Sequence, residues 1–216
     1  MFIYGQKILF LMNSEVVVIR GDMIKSREIK EKAEFWKKLD HTIERVNKNF
    51  KKNLLSKFEI FKGDEITGIC HNLKEGYIII SEIIECLHPL KIRIVISEGT
   101  IDYNRKTEVL NELDGEVFWN ASKAMNELKK SKRYIRIITK HNQNDEILTS
   151  FADILAELKY DWTEKEREII EFYDIFINQN KVARKLHISQ QSVSDGLRRA
   201  KYNQIRNAEK TLIDFI

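Results

Sequence analysis

The amino-acid sequence predicts an α+β protein: a ferredoxin-like sheet domain followed by an all-α domain carrying a helix-turn-helix. Three observations predict it. Up to about residue 140, short β-branched runs alternate with helical patterns in the order β-α-β-β-α-β-α-β, the split βαβ arrangement. Beyond that point the apolar residues recur only at helical spacing. Residues 181–200 then carry the pattern of two short helices crossing at a tight turn.

The first strand is read at Val16–Ile19, a β-branched run closed by Arg20-Gly21-Asp22, which puts a carboxylate at its end. Ser26 is placed to cap a helix, with Glu28 in its first turn. Ile29, Ala33, Trp36, Ile43, Val46 and Phe50 give that helix one apolar face. Residues 58–62 and 65–70 form two strands divided by Gly63-Asp64, a tight-hairpin signal. A second helix covers 73–87 and stops at His88-Pro89. Lys91–Ser97 alternates basic and apolar residues, a strand with one buried face. Residues 99–113 read as a loop, 115–129 as a third helix and 134–138 as a last strand.

Ile147, Phe151, Ile154 and Leu158 mark the next helix, and Thr163 with Glu166 forms a capping box for the one after it. In the helix-turn-helix, Val182, Ala183 and Leu186 face inward, Ile188 plugs the turn and Ser189 caps the second helix. Val193, Leu197 and Ala200 line that helix's inner side, while His187 takes the turn position usually given to glycine. Gly196 weakens the helix interior on propensity grounds. The domain plan is therefore a non-core extension at 1–11 with Met12 as the effective start, a sheet domain at 12–140, and a helical domain at 141–216 with the helix-turn-helix at 163–200.

Bulk properties narrow the class. With 43% hydrophobic and 32% charged residues, the chain has the composition of a globular protein with a buried core. One proline and eight glycines leave no room for a low-complexity linker. Its 37 basic and 33 acidic residues nearly balance, so nucleic-acid contact requires a local patch. Cys70-His71 and Cys86-x-His88 lack zinc-ligand spacing, and the two cysteines read as buried thiols in a reducing compartment. The absence of a signal peptide and of any long apolar run leads to the expectation of a cytoplasmic protein without membrane contact.

Two carboxylates from distant parts of the sequence are candidates for chemistry. Asp22 at the strand end and Asp64 at the hairpin tip fall on one sheet edge in a split βαβ sheet, where they suit a shared magnesium or manganese ion. Lys25, Ser26 and Arg27 near a helix start, with Lys62 in the hairpin, provide cationic and amide contacts for nucleotide phosphates. Both aspartates also suit plain turn positions, and residue types alone leave that reading open.

The stretches VVVIRGD, FEIFKGDE, KIRIVISEG and GEVFWNASK resemble, in this order, the palm domain of class III nucleotidyl cyclases. That resemblance implies a nucleotidyl-cyclase-like palm fold with Asp22 and Asp64 at the metal positions. It also places Lys123 where the family has its transition-state arginine and Trp119 where it has an asparagine. A resemblance over nearly the whole chain, carried by GDMIKSR, FKGDE, LDGEVFWNASKAM, WTEKEREII and VARKLHISQQSVSDGLRRA, is to the SatD family of small bacterial proteins. It implies a cyclase-like region joined to a C-terminal helix-turn-helix, and leaves residues 1–11 without a counterpart.

In the second helix of the motif, Gln190, Gln191, Ser192 and Ser194 occupy the part that meets base edges, where glutamine reads adenine. Arg198, Arg199 and Lys201 suit phosphate contacts, whereas Asp195 opposes them. The plain alternative is a helical hairpin with a solvated charged face. The leading expectation is a DNA-binding transcriptional regulator, homodimeric, whose cyclase-like domain senses a nucleoside triphosphate or nucleotide second messenger or joins two copies. Its rivals are a metal-dependent nucleotidyl cyclase or transferase targeted by the motif, and an interaction protein that has lost both ligands.

Overall fold

In the computed structural model, residues 15–61, 63–101 and 115–216 are described. The proposed extension at 1–11, the start at Met12, Lys62 and most of the loop at 99–113 lie outside them. β1 (Glu15–Met23) is followed by a 3₁₀ turn at Ser26–Glu28, α1 (Lys32–Asn49), β2 (Leu54–Phe61), β3 (Glu65–Cys70), α2 (Leu73–Leu87), β4 (Ile92–Thr100), α3 (Glu116–Lys130) and β5 (Ile135–Ile138). The order is the one expected. Five helices follow: α4 (Asp145–Tyr160), α5 (Glu164–Phe176), α6 (Gln179–Leu186), α7 (Gln190–Arg199) and α8 (Tyr202–Phe215).

The five strands form one sheet in the order β2-β3-β1-β4-β5. β1 pairs antiparallel with both β3 and β4, so the β3-α2-β4 crossover straddles it, and β4 pairs in parallel with β5. Alternation along β1 sends Val17, Ile19 and Met23 into the core beneath α1 and α2, and Val16 and Val18 into a smaller cluster under α3. Gly21 is needed on the first face. A Cβ there would come within 2.7 Å of Ile66 Cγ1 and Ile92 Cδ1.

The start of the first helix differs from expectation. β1 continues to Met23, so Asp22 lies inside the strand, and Ser26 opens a single 3₁₀ turn without capping a helix. The reason is that the Ser26 hydroxyl donates to Asp64 Oδ2 across the turn and is not available to the helical amides. α1 begins at Lys32 and buries Phe35, Leu39, Thr42, Ile43 and Val46, leaving Ala33 exposed.

α4 also turns a different face inward. Leu148, Ala152, Leu155 and Ala156 are buried, while Ile147, Phe151 and Ile154 are exposed. This helix lies against β5 and joins the core on the α1/α2 side, so the core runs on across the boundary drawn at residue 140. Tyr160 at its end ties it to the sheet: its hydroxyl accepts from Ile92 N and donates to Ile92 O, both at 3.1 Å. Trp162 reaches the other way, its indole N–H donating to Ala200 O at 2.8 Å.

Among the described residues, four helices open on side-chain caps, of which those at Thr163 and Ser189 were expected. Asn72 accepts from Glu75 N at the start of α2, and the Thr163–Glu166 capping box opens α5. Asn178 caps α6, His187 ends it in a left-handed conformation (φ 54°), and Ser189 caps α7. Cys70 is buried and Cys86 half-buried, both as free thiols. Among the described residues no helix is long and apolar enough to cross a membrane.

Candidate nucleotide and nucleic-acid sites

β1 and the β2–β3 hairpin bring the backbones of the two candidate aspartates side by side. Asp22 stands opposite Glu65 in the ladder, and Met23 N donates to Asp64 O at 3.2 Å. The side chains, however, have separate partners. Asp64 accepts from Ser26, whereas Asp22, 8% exposed on the α3 face, is held by Lys129 Nζ at 2.6 Å with Arg93 at 3.9 Å.

The surroundings of Asp22 were not read from the sequence. Arg20, two residues before it on the same sheet face, donates to Ser122 Oγ on α3 at 2.7 Å and to Glu65 Oε2 at 3.0 Å. Lys129 also reaches Glu65, at 3.5 Å. Burial opposes ionisation of Glu65, but Arg20 and Lys129 outweigh it and hold its carboxyl below the usual range. Burial likewise works against the Lys129 ammonium, and Asp22 and Glu65 overcome it, raising its pKa. Three cationic side chains thus face two carboxylates, and Nε of both Arg20 and Arg93 is buried without a partner. The available signal was the polar pair Arg20/Asp22 at period two inside a buried run; nothing local pointed to Lys129.

A divalent cation needs carboxylate oxygens open to it. Here protein cations already neutralise Asp22, so this donor set as folded does not fit magnesium or manganese. The other candidate nucleotide residues are spread out. Lys25 is exposed and pairs with Glu28 at 3.3 Å, Ser26 is buried on Asp64, and Arg27 and Lys123 are exposed. Trp119 on α3 is 64% exposed.

In the helical part, α7 lies over α5 and against α6. Gly196 is the contact point: a Cβ there would meet Ile169 Cδ1 at 2.6 Å, so the residue that weakens the helix by propensity permits its close crossing. The exposed side of α7 begins with Gln190, which donates to Gln179, and Gln191, which donates to Asp195 at 3.2 Å. Ser192 pairs with Ser189 at 2.8 Å, and Ser194 is half-buried. Asp195 accepts from Arg198 at 2.9 Å, while Arg199 reaches back to Glu166 at 3.2 Å. Lys201 sits in a left-handed conformation (φ 53°) at the start of α8.

Charge separates between the elements. The acidic residues Glu164, Glu166, Glu168, Glu171 and Asp174 fall on α5. Lys181, Arg184, Lys185, Arg198, Arg199 and Lys201 fall on α6, α7 and the turn after it, where Asp195 is the only acid. The helical part thus sets a basic motif over an acidic scaffold helix.

The profile of the SatD family matches residues 16–213, from the second residue of β1 almost to the end of α8. The chain belongs to the SatD family. No curated protein matches it in sequence. Among solved structures, this SatD family protein is similar over 57% of its length to the guanylate cyclase domain of RhGC from Catenaria anguillulae in complex with GTP. The identity is 19%, 78% of that chain is covered and the TM-score is 0.45. The monomeric guanylyl cyclase domain of the RhoGC fusion protein from the aquatic fungus Blastocladiella emersonii matches over the same share, with 20% identity, 80% coverage and a TM-score of 0.43. A regulator of polyketide synthase expression from Bifidobacterium adolescentis matches over 94% of the SatD chain and 81% of its own, at 10% identity and a TM-score of 0.29.

Proposed function

We propose that this SatD family protein is a DNA-binding regulator in which α7 reads the duplex and the sheet domain serves as a nucleotide-sensing or dimerising module. The observation that carries the reading is the presentation of α7. Its buried side is locked to α5 through Gly196, and Gln190, Gln191 and Arg198 stay on the outer side. Basic residues from α6 and the turn before α8 flank it. A rigid helix exposing polar residues at its N-terminal half between cations is what major-groove entry requires. The Asp195–Arg198 pair removes most of the repulsion that a free carboxylate there would exert on phosphates.

Turnover in the sheet domain is disfavoured by Lys129, whose ammonium takes up the charge of Asp22. The test of the DNA reading is a fluorescence titration of the full chain against promoter and scrambled duplexes over a salt series. Binding that steepens at low salt and prefers one sequence supports it; undetectable or salt-insensitive binding overturns it.

A metal-dependent nucleotidyl cyclase or transferase is the second reading. It is favoured by the Met23–Asp64 backbone bond, which sets two acid-bearing segments together. It requires Lys129 to leave Asp22. Pyrophosphate release from ATP or GTP with manganese, abolished by Asp22→Asn and Asp64→Asn, would establish it over the sensor.

A further inference from the structure

A cleft of about 600 Å³ opens between α1, α2 and α5, on the opposite side of the sheet from Asp22. Its charges are unevenly matched. Glu82 is taken by Arg45 at 2.9 Å, and Glu85 by Lys159 and Arg206 at 2.6 and 2.7 Å. Lys38 and Arg167 form no ion pair among the described residues: Lys38 Nζ donates to His88 O, and Arg167 Nη2 donates to Glu85 O while its guanidinium lies over the Trp162 ring. Arg167 Nη1 is buried without any partner. Glu171, one turn further along α5, is exposed and acts on Arg167 without touching it, and Asp174 at the cleft is taken by Arg206 at 2.6 Å.

We propose that this cleft binds a small phosphate-bearing metabolite, with Arg167 and Lys38 as its charge partners. Two cations without a direct carboxylate partner suit a dianion, and a phosphomonoester carries nearly two charges at neutral pH. The guanidinium fork matches phosphate oxygens, and the orphaned Nη1 is a donor already stripped of water. The volume exceeds what a lone phosphate fills and lies in the range of small-molecule pockets. The electrostatics of the cleft agree with this. Burial lowers the pKa of both Lys38 and Arg167, the Arg167 charge adds to the fall at Lys38, and burial with those two cations pushes His88 down to about 4. The negative charge of a bound dianion would act against all three shifts. The site is independent of the α7 and Asp22 readings.

Isothermal titration and thermal shift of the full chain with ribose 5-phosphate, inorganic phosphate and succinate test it. Ribose 5-phosphate should bind at one site and raise Tm, inorganic phosphate more weakly, succinate least. Arg167→Gln and Lys38→Gln should each weaken ribose 5-phosphate by ~10-fold or more, the cost of one charge-assisted contact. Because Arg167 also holds Glu85 O, a variant that spares the fold is required: Ile175→Glu changes a residue that is 65% exposed at the cleft mouth. It should keep the wild-type Tm and weaken the phosphate. Asp22→Asn should leave binding unchanged. No response to either phosphate, tighter binding of succinate, affinity unaltered by Ile175→Glu, or loss in Asp22→Asn would each overturn the assignment.

Discussion

The ammonium of Lys159 lies 2.6 Å from Glu85 Oε1, joining α4 to α2 with only 2% of the lysine side chain exposed. Ser81 and Glu209 complete its shell, and Arg206 of α8 donates to both oxygens of Glu85, at 2.7 and 3.2 Å. One buried ionic cluster therefore ties the sheet's helical layer to the last helix of the chain. Removing one partner leaves the others charged and buried. Lys159→Met is expected to cost ~3–5 kcal/mol, read as a fall in the urea midpoint.

The same cluster sets an acid limit. Burial alone would raise the Glu85 carboxyl, but Lys159 and Arg206 outweigh it and bring it to about 2. A depressed carboxyl contributes stability that is complete above the unfolded value of ~4.3 and is lost as pH falls toward the folded value. His88, held down to about 4 by burial, Arg167 and Lys38, adds an earlier loss between its ordinary value of ~6.5 and that point. Tm should therefore decline in two stages from pH 7 to 2. Glu85→Gln should lower Tm at pH 7 and flatten the lower stage; an unchanged lower stage would remove Glu85 from the account.

At the sheet site, Lys129→Ala uncovers Asp22 while Arg93 remains nearby. Because the lysine is about one-third exposed, the loss of stability should be modest, ~0.5–1.5 kcal/mol after solvent screening. Manganese should raise the Tm of the variant and leave wild type unmoved. A manganese shift in wild type of equal size would show that Lys129 yields its place.

Gly196→Leu should force α7 off α5, since even a Cβ meets Ile169 there. Overpacking of this kind costs ~1–3 kcal/mol. Circular dichroism melts should show the loss, together with weaker DNA binding if α7 is the reading helix.

On DNA, the two groups of residues should fail differently. Arg198→Ala is expected to weaken all duplexes alike and reduce the salt slope by about one. Gln190→Ala should cost ~1–3 kcal/mol on the preferred site alone. Asp195→Asn frees Arg198 and should tighten non-specific binding. Identical losses for Gln190→Ala and Arg198→Ala on both duplexes would argue against base reading by α7.

By itself the sequence determined whatever depends on near neighbours. Strand and helix order, the Gly63-Asp64 hairpin, the stop before Pro89, the Thr163–Glu166 box and the cap at Ser189 all rest on contacts within a few residues. Such contacts leave a local signature of turn chemistry and periodicity. The helix-turn-helix was legible for the same reason. Its buried positions Val182, Ala183, Val193 and Leu197 recur at a spacing only a helix explains.

Only the tertiary structure decided what depends on distant partners. Ser26 is a credible cap until the hairpin brings Asp64 to it. Asp22 is a credible metal ligand until α3 brings in Lys129, and Arg20 finds Ser122 from 102 positions away. α4 is apolar on both sides, so its pattern did not say which stripe meets the sheet; packing against β5 chose Leu148 and Ala152. Gly196 shows the division within one residue. Helix propensity counts it as a weakness because that scale sees only the backbone. Ile169, on another helix, is what makes the missing side chain necessary.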